Sequence, residues 1–383
     1  MRNKGFVMKR SASKQKSKLR IGVLYGGRSG EHDVSLCSAA SVVAALDKKK
    51  YDVIAIGIDR DGRWYVQDRP EIIPDKAFGK ILSLKKRGRW LVNHFEQQNK
   101  LHIYNLEAKG EEVVVDLVFP VLHGTFGEDG TLQGLLELAM VPYVGVDVTG
   151  AAIGMDKDVA KRLLAGAGIP VVPWMTISRS EWRSLPQKIL RRAQTQLALP
   201  LFVKPLCTGS SVGIKKVKTN KELAPAIDYA FQFDTRVMIE TGIDCREIEC
   251  AVLGNELPEA SVLGEILPRH EFYSYEAKYL DPEGALMKIP AEIPAKLAAT
   301  IRACAVAGFR ALNCNSMARV DFFLDKKTSA FYLNEVNTLP GFTSISMYPK
   351  LWAATGLPYG RLLDKLIVLA ILRHREKLSI KTD

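Results

Sequence analysis

At 383 residues the chain is long enough for two or three domains of ordinary size, and 47% hydrophobic with 25% charged residues excludes a disordered or fibrous polymer. The formal net charge of +12 invites a nucleic-acid reading, but residues 1–20 carry eight Lys/Arg and no acid, so 12 − 8 leaves only +4 on the remainder. The basicity belongs to an N-terminal tail, read as a disordered extension, and neither a nucleic-acid nor a membrane role is expected. That tail lacks the apolar centre of a secretory leader, and the late apolar run 366–372 is far too short for a bilayer. Cys37, Cys207, Cys245, Cys250, Cys304 and Cys314 form no CxxC pair, which predicts free thiols and a cytoplasmic protein.

In chain order, "LRIGVLYGG" (19–27) predicts a buried strand ending in a glycine turn, and 31–48 a helix. Strands follow at 51–59 and 113–124, with a helix at 131–140 and irregular short strands over 60–112. Continuous apolar strands alternating with helices argue for a parallel sheet covered on both faces. "DKDVAKRLLAGAGIP" reads as a helix stopped by Gly and Pro. "LFVKPLCTGSSVGIKKV" (201–217) reads as two strands around a Gly/Ser loop. The segment 236–254 alternates as in an antiparallel sheet; a helix over 291–313 then leads to strands at 317–324 and 330–337.

Strand alternation puts Arg319 and Asp321 on one face, and Glu335 and Asn337 on one face of the next strand. If the strands pair across "DKKTSA", three oxygen ligands and a guanidinium share a surface. Hard oxygen donors suit Mg²⁺, which keeps waters and binds substrate phosphates. The competing reading is a solvated face with an ion pair, for which Asn337 has no use. "KPLCTGSSVG" could bring backbone N–H groups and Lys204 to an anion, though it lacks the GK[ST] of a Walker loop and could equally be a flexible hairpin. Lys157, at the start of a helix, and Lys278, in "YEAKY", could each be ordinary surface lysines. His123 lies where a strand end meets a glycine-rich loop, the usual ligand position in α/β sheets. Glu31 falls in the first turn of a helix, where the macrodipole favours a carboxylate.

Eight blocks together resemble the D-alanine–D-alanine ligases of the ATP-grasp superfamily: "GGRSGEHDVSL", "VLHGTFGEDGTLQG", "GMDK", "VKPLCTGSSVG", "REIECAVLG", "FYSYEAKY", "ARVDFFL" and "NEVNTLPGFTSISMYPKLW". They run in order from about residue 19 to 375. The resemblance implies an α/β (α+β) ATP-grasp protein: a Rossmann-like domain at 19–145 after a tail at 1–18, a lid at 146–239, and a C-terminal domain at 240–383 with a mobile loop near 264–288. It implies ATP and two Mg²⁺ ions, or Mn²⁺, as cofactors, D-alanine as substrate, and a homodimer.

Carried over by motif, Lys157, Lys204 and Ser211 would hold phosphates, with Lys278 also at the nucleotide. Glu240, Ile243 and Glu247 would bind adenine and ribose, although Thr-Gly after Glu240 is a variable place in the family. Asp321, Glu335 and Asn337 would hold the metal ions. Arg319 and the N–H of Gly341 would stabilise an oxyanion. Glu31 would take the ammonium of the first D-alanine and form a triad with Ser210 and Tyr279; His123 and Tyr273 would sit near the substrate. Ser346 and Met347 would receive the second carboxylate. Tyr279 in "EAKY" favours an amine nucleophile over the hydroxyl used by D-alanyl-D-lactate ligases. The rival readings are a D-lactate or D-serine ligase, a non-catalytic ATP-binding regulator, and a dinucleotide-dependent oxidoreductase. The last lacks GxGxxG, with Asp59 as only a partial match.

Overall fold

A computed structural model describes residues 17–76, 79–93, 99–268, 285–343 and 345–381. The first sheet has the order β3-β2-β1-β9, built from β1 (Leu19–Gly26), β2 (Tyr51–Ile58), β3 (Trp64–Gln67) and β9 (Leu117–Pro120). β1 runs parallel to both β2 and β9, while β3 is an antiparallel edge. Helix α1 (His32–Ala45) shares a core with Ile21, Val23 and Tyr25; α2 (Thr131–Leu138) shares another with Leu24, Ile56 and Val118. Alternate residues of β1 thus serve opposite layers, as both-face burial requires.

The stretch 113–124, expected as one strand, is two. β8 (Glu112–Val115) joins β6 (Trp90–Asn93) and β7 (Leu101–Asn105) in a small sheet, while β9 pairs with β1. Asp116 divides them: its carboxylate accepts from the Arg20 backbone N–H at 2.9 Å and from the guanidinium at 3.1 and 2.8 Å. Such a charged fork fixes the chain where the apolar run alone would carry on. β4 (Ile72–Asp75) and β5 (Gly79–Leu82) make a separate hairpin.

The second sheet, β10-β13-β11-β12, comprises β10 (Trp174–Ser178), β11 (Leu201–Pro205), β12 (Lys215–Val217) and β13 (Arg236–Thr241), all antiparallel. Its inner face, with Ile177, Val203, Val237 and Ile239, packs against Trp182 of α5 (Arg179–Ser184), Ile189 and Ala193 of α6 (Pro186–Gln196), and Leu223 and Ile227 of α7 (Asn220–Ala230).

The alternating stretch 236–254 divides between two sheets. β13 ends before Gly242, and β14 (Cys245–Gly254) opens the third sheet, β16-β15-β14-β17-β18. Gly242 N–H donates to Pro200 O at 2.7 Å, and a Cβ there would meet Phe202 Cε2 at 2.9 Å, so this crossing needs glycine. The other strands are β15 (Glu259–Pro268), β16 (Ala285–Lys288), β17 (Ser316–Asp325) and β18 (Phe331–Asn337). One side packs with α3 (Val148–Met155), α4 (Lys157–Gly166) and α8 (Ala295–Ala311); the other packs with α9 (Met347–Ala354) and α10 (Tyr359–Leu378). The α9 and α10 side is continuous with the α1 core, which joins the first and third sheets.

Candidate active site

Pairing of β17 with β18 sets Arg319 opposite Asn337 and Asp321 opposite Glu335, with a bulge after Asp321. On the other side β14 sets Glu249 opposite Asp321. Three carboxylates therefore follow one another across three strands. Arg319 lies beside them, donating from Nε and Nη2 to Asp321 at 2.8 and 2.6 Å and pairing with Glu249 at 3.1 Å. Burial would lower the guanidinium pKa, but Asp321 and Glu249 outweigh it and drive it well above the ordinary value. Asp321, Glu335 and Asn337 are hard oxygen donors on paired strands, the donor type that suits a divalent cation. Both Asp321 oxygens here accept from Arg319, however, and no group of three His, Cys, Asp or Glu among the described residues is placed to hold a metal.

The second sheet supplies positive charge. Asp156 caps α4 by accepting from the N–H groups of Asp158 and Val159, both at 3.0 Å, so Lys157 begins the helix and Lys161 follows one turn later on the same face. Lys157 Nζ donates to Leu206 O at 3.2 Å and Thr208 O at 2.6 Å. Lys204 pairs with Glu240 at 2.6 Å, and Lys161 pairs with the other oxygen of Glu240 at 2.5 Å. Burial lowers the pKa of Lys157 and Lys161, and the charge of Lys204 lowers both further. Two ammonium groups on one buried carboxylate, with Lys157 held nearby on backbone carbonyls, leave a surplus of positive charge that a polyanion would relieve.

The loop after β11 holds Ser210 and Ser211 in the left-handed region, at φ of 50° and 61°. Backbone of that kind directs N–H groups into an anion-accepting concavity. Ser210 Oγ donates to Glu31, the N-cap residue of α1. Two glycines crowd that carboxylate: a Cβ at Gly124 would stand 2.7 Å from Glu31 Oε2, and one at Gly209 3.0 Å.

His123 is buried beside them, its ring nitrogens 3.1 Å from Ser38 Oγ and 3.2 Å from Leu339 O. Burial holds its pKa below the ordinary value despite the pull of Glu31, so the imidazole is neutral. Glu128 accepts from Gly124 N–H at 2.6 Å; burial, with the charge of Glu31, pushes its carboxyl up to about 8. Past β18, Ser346 caps α9 and its hydroxyl contacts Thr343 N and Oγ1 at 3.0 and 2.8 Å. A Cβ on Gly341 would come within 2.8 Å of that same hydroxyl.

Family models match both halves of the chain: the D-ala D-ala ligase N-terminus over residues 20–146 and the D-ala D-ala ligase C-terminus over residues 163–368. The chain belongs to the D-alanine–D-alanine ligase family. It is 49% identical over 367 residues to D-alanine--D-alanine ligase A of Bradyrhizobium diazoefficiens, covering 95% of this chain and 98% of the relative. It is 45% identical over 367 residues to the Escherichia coli K12 protein of that name, covering 95% and 99%. The D-alanine-D-alanine ligase of Coxiella burnetii superposes with a TM-score of 0.76 at 39% identity, covering 94% and 96% of the two chains. VanG D-Ala:D-Ser ligase of Enterococcus faecalis superposes with a TM-score of 0.79 at 36% identity, covering 92% and 100%.

The residues named from the sequence lie on distant elements. Lys157, Lys204, Glu240 and Glu247 come from α4, β11, β13 and β14, and Ile243 lies in the link between the second and third sheets. Glu31 stands at the N-cap of α1, one position ahead of the first turn where it was expected. Met347 is buried at the start of α9. Tyr273, Lys278 and Tyr279 lie outside the described residues. Three members of the arrangement escape a reading of the sequence: Lys161, Glu128 and Glu249. Each lies inside or beside a quoted block, and its signal is spacing: Lys161 four after Lys157, Glu128 in "GED", Glu249 two after Glu247.

Proposed function

We infer that the protein joins two D-alanine molecules to D-alanyl-D-alanine at the expense of ATP, the ligation that supplies peptidoglycan precursors. What carries this reading is the set of opposed pairs Arg319–Asn337 and Asp321–Glu335, in a chain whose two halves both match the ligase family. A carboxylate is a poor acyl acceptor for an amine. The carboxylate of the first D-alanine therefore attacks the γ-phosphorus of ATP, expelling ADP and giving an acyl phosphate. The amine of the second D-alanine attacks its carbonyl, a proton is lost, and the tetrahedral intermediate expels phosphate.

Glu31 receives the first ammonium, and Ser210 fixes the orientation of that carboxylate. Neutral His123 sits beside this pocket without repelling the ammonium. Lys157 and Lys204 take the phosphates, with Ser211 and the loop closing over them. Glu240, Ile243 and Glu247 hold adenine and ribose. Arg319 and the N–H of Gly341 face the developing oxyanion, donors placed in advance of the charge they meet. Ser346 and Met347, at the start of α9, receive the second carboxylate. Asp321, Glu335 and Asn337 would hold two Mg²⁺ ions, with Mn²⁺ as a substitute, whose charge neutralises the transferring phosphoryl group. Tyr273 would serve the substrate, Lys278 the nucleotide, and Tyr279 would complete the triad with Glu31 and Ser210.

We take 19–145, 146–239 and 240–383 as the three domains, and a cytoplasmic homodimer as the working form. No helix among the described residues is long and apolar enough to cross a membrane. The deciding experiment measures ADP and phosphate release from ATP–Mg²⁺ with D-alanine, L-alanine, or D-alanine plus D-lactate or D-serine, with products identified by mass. Turnover on D-alanine alone, giving the D,D-dipeptide, is the expected result. A requirement for D-lactate or D-serine would replace the second substrate, and no turnover with any acceptor would overturn the ligase reading.

A further inference from the structure

Lys161 has no part in the reading above, yet it is the most deeply buried lysine in the cleft, at 2% exposed against 9% for Lys204. Its position follows from its neighbours. Asp158, on the adjoining face of α4, accepts from Trp174 Nε1 at 3.0 Å and Thr176 Oγ1 at 2.9 Å, which ties the helix to β10. Trp174 and Phe202 are the two strand partners of Glu240, so the carboxylate rises between their rings. The Lys161 ammonium lies 5.4 Å from the centre of the Trp174 ring and 3.4 Å from Val172 O. The Lys204 ammonium lies 5.8 and 6.0 Å from the rings of Phe202 and Phe323. Glu240, itself 1% exposed, has one oxygen on each lysine.

Two buried cations on one carboxylate exceed what charge neutrality requires. Burial alone would push the Glu240 carboxyl up, but Lys204 and Lys161 outweigh it and hold it at about 2, ionised. The two lysines differ in setting. Lys161 is fixed by its helix and walled in by Trp174 and Val172. Lys204 projects from β11, two residues ahead of Leu206, whose carbonyl receives Lys157.

We propose that Lys161 is a positioning residue: it is the standing counter-ion of Glu240, so that Lys204 can leave Glu240 for a nucleotide phosphate while the freed oxygen accepts the amino group of the purine. The exchange conserves charge, because Lys204 trades a carboxylate for a phosphate and Glu240 keeps Lys161. It also couples the two ends of the nucleotide, since Glu240 opens to the base only when a phosphate draws Lys204 away. The inference rests on the reading of this cleft as the ATP site.

The test compares the wild type with Lys161→Met and with the double variant Lys161→Met/Glu240→Leu, whose side chain at 240 has no acceptor. Each is assayed for the KM of ATP, inosine triphosphate and D-alanine, with ATP binding by calorimetry and the melting temperature as a check of folding. In Lys161→Met, Glu240 keeps Lys204 for itself, so KM for ATP rises by about tenfold or more while kcat and KM for D-alanine stay within about twofold. In the double variant no carboxylate competes for Lys204 and none accepts the purine amino group, so the preference for ATP over inosine triphosphate collapses to within about threefold. If Lys161→Met does not fold, the double variant decides alone, because it leaves Lys204 as the remaining charge of the three and bound nucleotide supplies its counter-ion. An unchanged KM for ATP in Lys161→Met, an equal rise in KM for D-alanine, or a wild-type nucleotide preference in the double variant would overturn the proposal. A wild type that binds no ATP would overturn both this inference and the reading beneath it.

Discussion

Ser210 donates its hydroxyl proton to the carboxylate of Glu31 across 179 positions of sequence, joining the loop after β11 to the start of α1. The contact is possible because the backbone presses close from two sides. A Cβ at Gly124 would stand 2.7 Å from Glu31 Oε2, at a φ of +75° that L side chains rarely adopt. Gly124→Ala should therefore displace the carboxylate as well as strain its own loop, at a cost of about 1–3 kcal/mol. The expected outcome is a KM for the first D-alanine raised by about tenfold or more, with the KM for ATP little changed. Steady-state kinetics on both substrates check this, and a wild-type KM for D-alanine in a folded Gly124→Ala protein would refute it.

Arg319 is held by Asp321 through two hydrogen bonds and by Glu249 through a third contact, so its guanidinium geometry is shared by two strands, β17 and β14. Lysine cannot reproduce the fork. Arg319→Lys should lower kcat by about 10²–10³-fold, the loss typical of a missing oxyanion donor. Arg319→Ala, which leaves Asp321 and Glu249 facing each other without a cation, should also destabilise the fold by about 3–5 kcal/mol. Rate measurements with denaturant titrations separate the two effects. A Lys variant with near-native kcat would remove Arg319 from the chemistry.

Much of this architecture is legible in the sequence because strand alternation is local. The spacing of Arg319 with Asp321, and of Glu335 with Asn337, gives the faces, and "DKKTSA" is short enough to return the chain antiparallel. What fails is local too. Residues 113–124 read as one strand because the break at Asp116 is made by Arg20, about a hundred positions away and without trace in the apolar pattern. The run 236–254 hides its crossing at Gly242 because alternation survives a change of sheet. Lys161 goes unnoticed because nothing in "DKDVAKRLL" reports that Trp174 and Val172 will close over it. Burial is a property of the fold, and the sequence carries it only as spacing.

Glu128 makes the stability of the protein depend on pH. Its carboxyl is pushed by burial and by Glu31 from 4.5 up to about 8, so the folded state holds a proton that the unfolded chain has released. A group raised in the folded state binds more protons there, and stability falls as pH rises through the interval from about 4.5 to about 8. His123 acts in the opposite sense: its lowered value costs stability as pH falls through the ordinary histidine range. Glu128→Gln should flatten the alkaline arm, with a melting temperature above wild type near pH 8 and close to it near pH 5. Melting curves at intervals of pH test this, and parallel curves for the two proteins would show that Glu128 ionises normally.

Glu335 stands opposite Asp321 on the sheet, and its charge raises the pKa of Lys157 across the cleft. Asp321 already has a cation in Arg319, so the folded state does not depend on a metal ion to neutralise that carboxylate. Removal of divalent ions with EDTA should therefore abolish turnover without unfolding the protein, and Mg²⁺ should restore the rate. Glu335→Gln takes one hard oxygen anion from the donor set, so half-saturation by Mg²⁺ should move up by about 10–100-fold, the range seen when metal-site groups are altered. The same variant removes a competitor of phosphate for Lys157, so ATP binding without metal should hold or tighten. Magnesium titrations of the rate, beside calorimetry of ATP in EDTA, read the two effects apart. An unshifted Mg²⁺ requirement would exclude Glu335 as a ligand, and weaker metal-free ATP binding would show that it serves the nucleotide by another route.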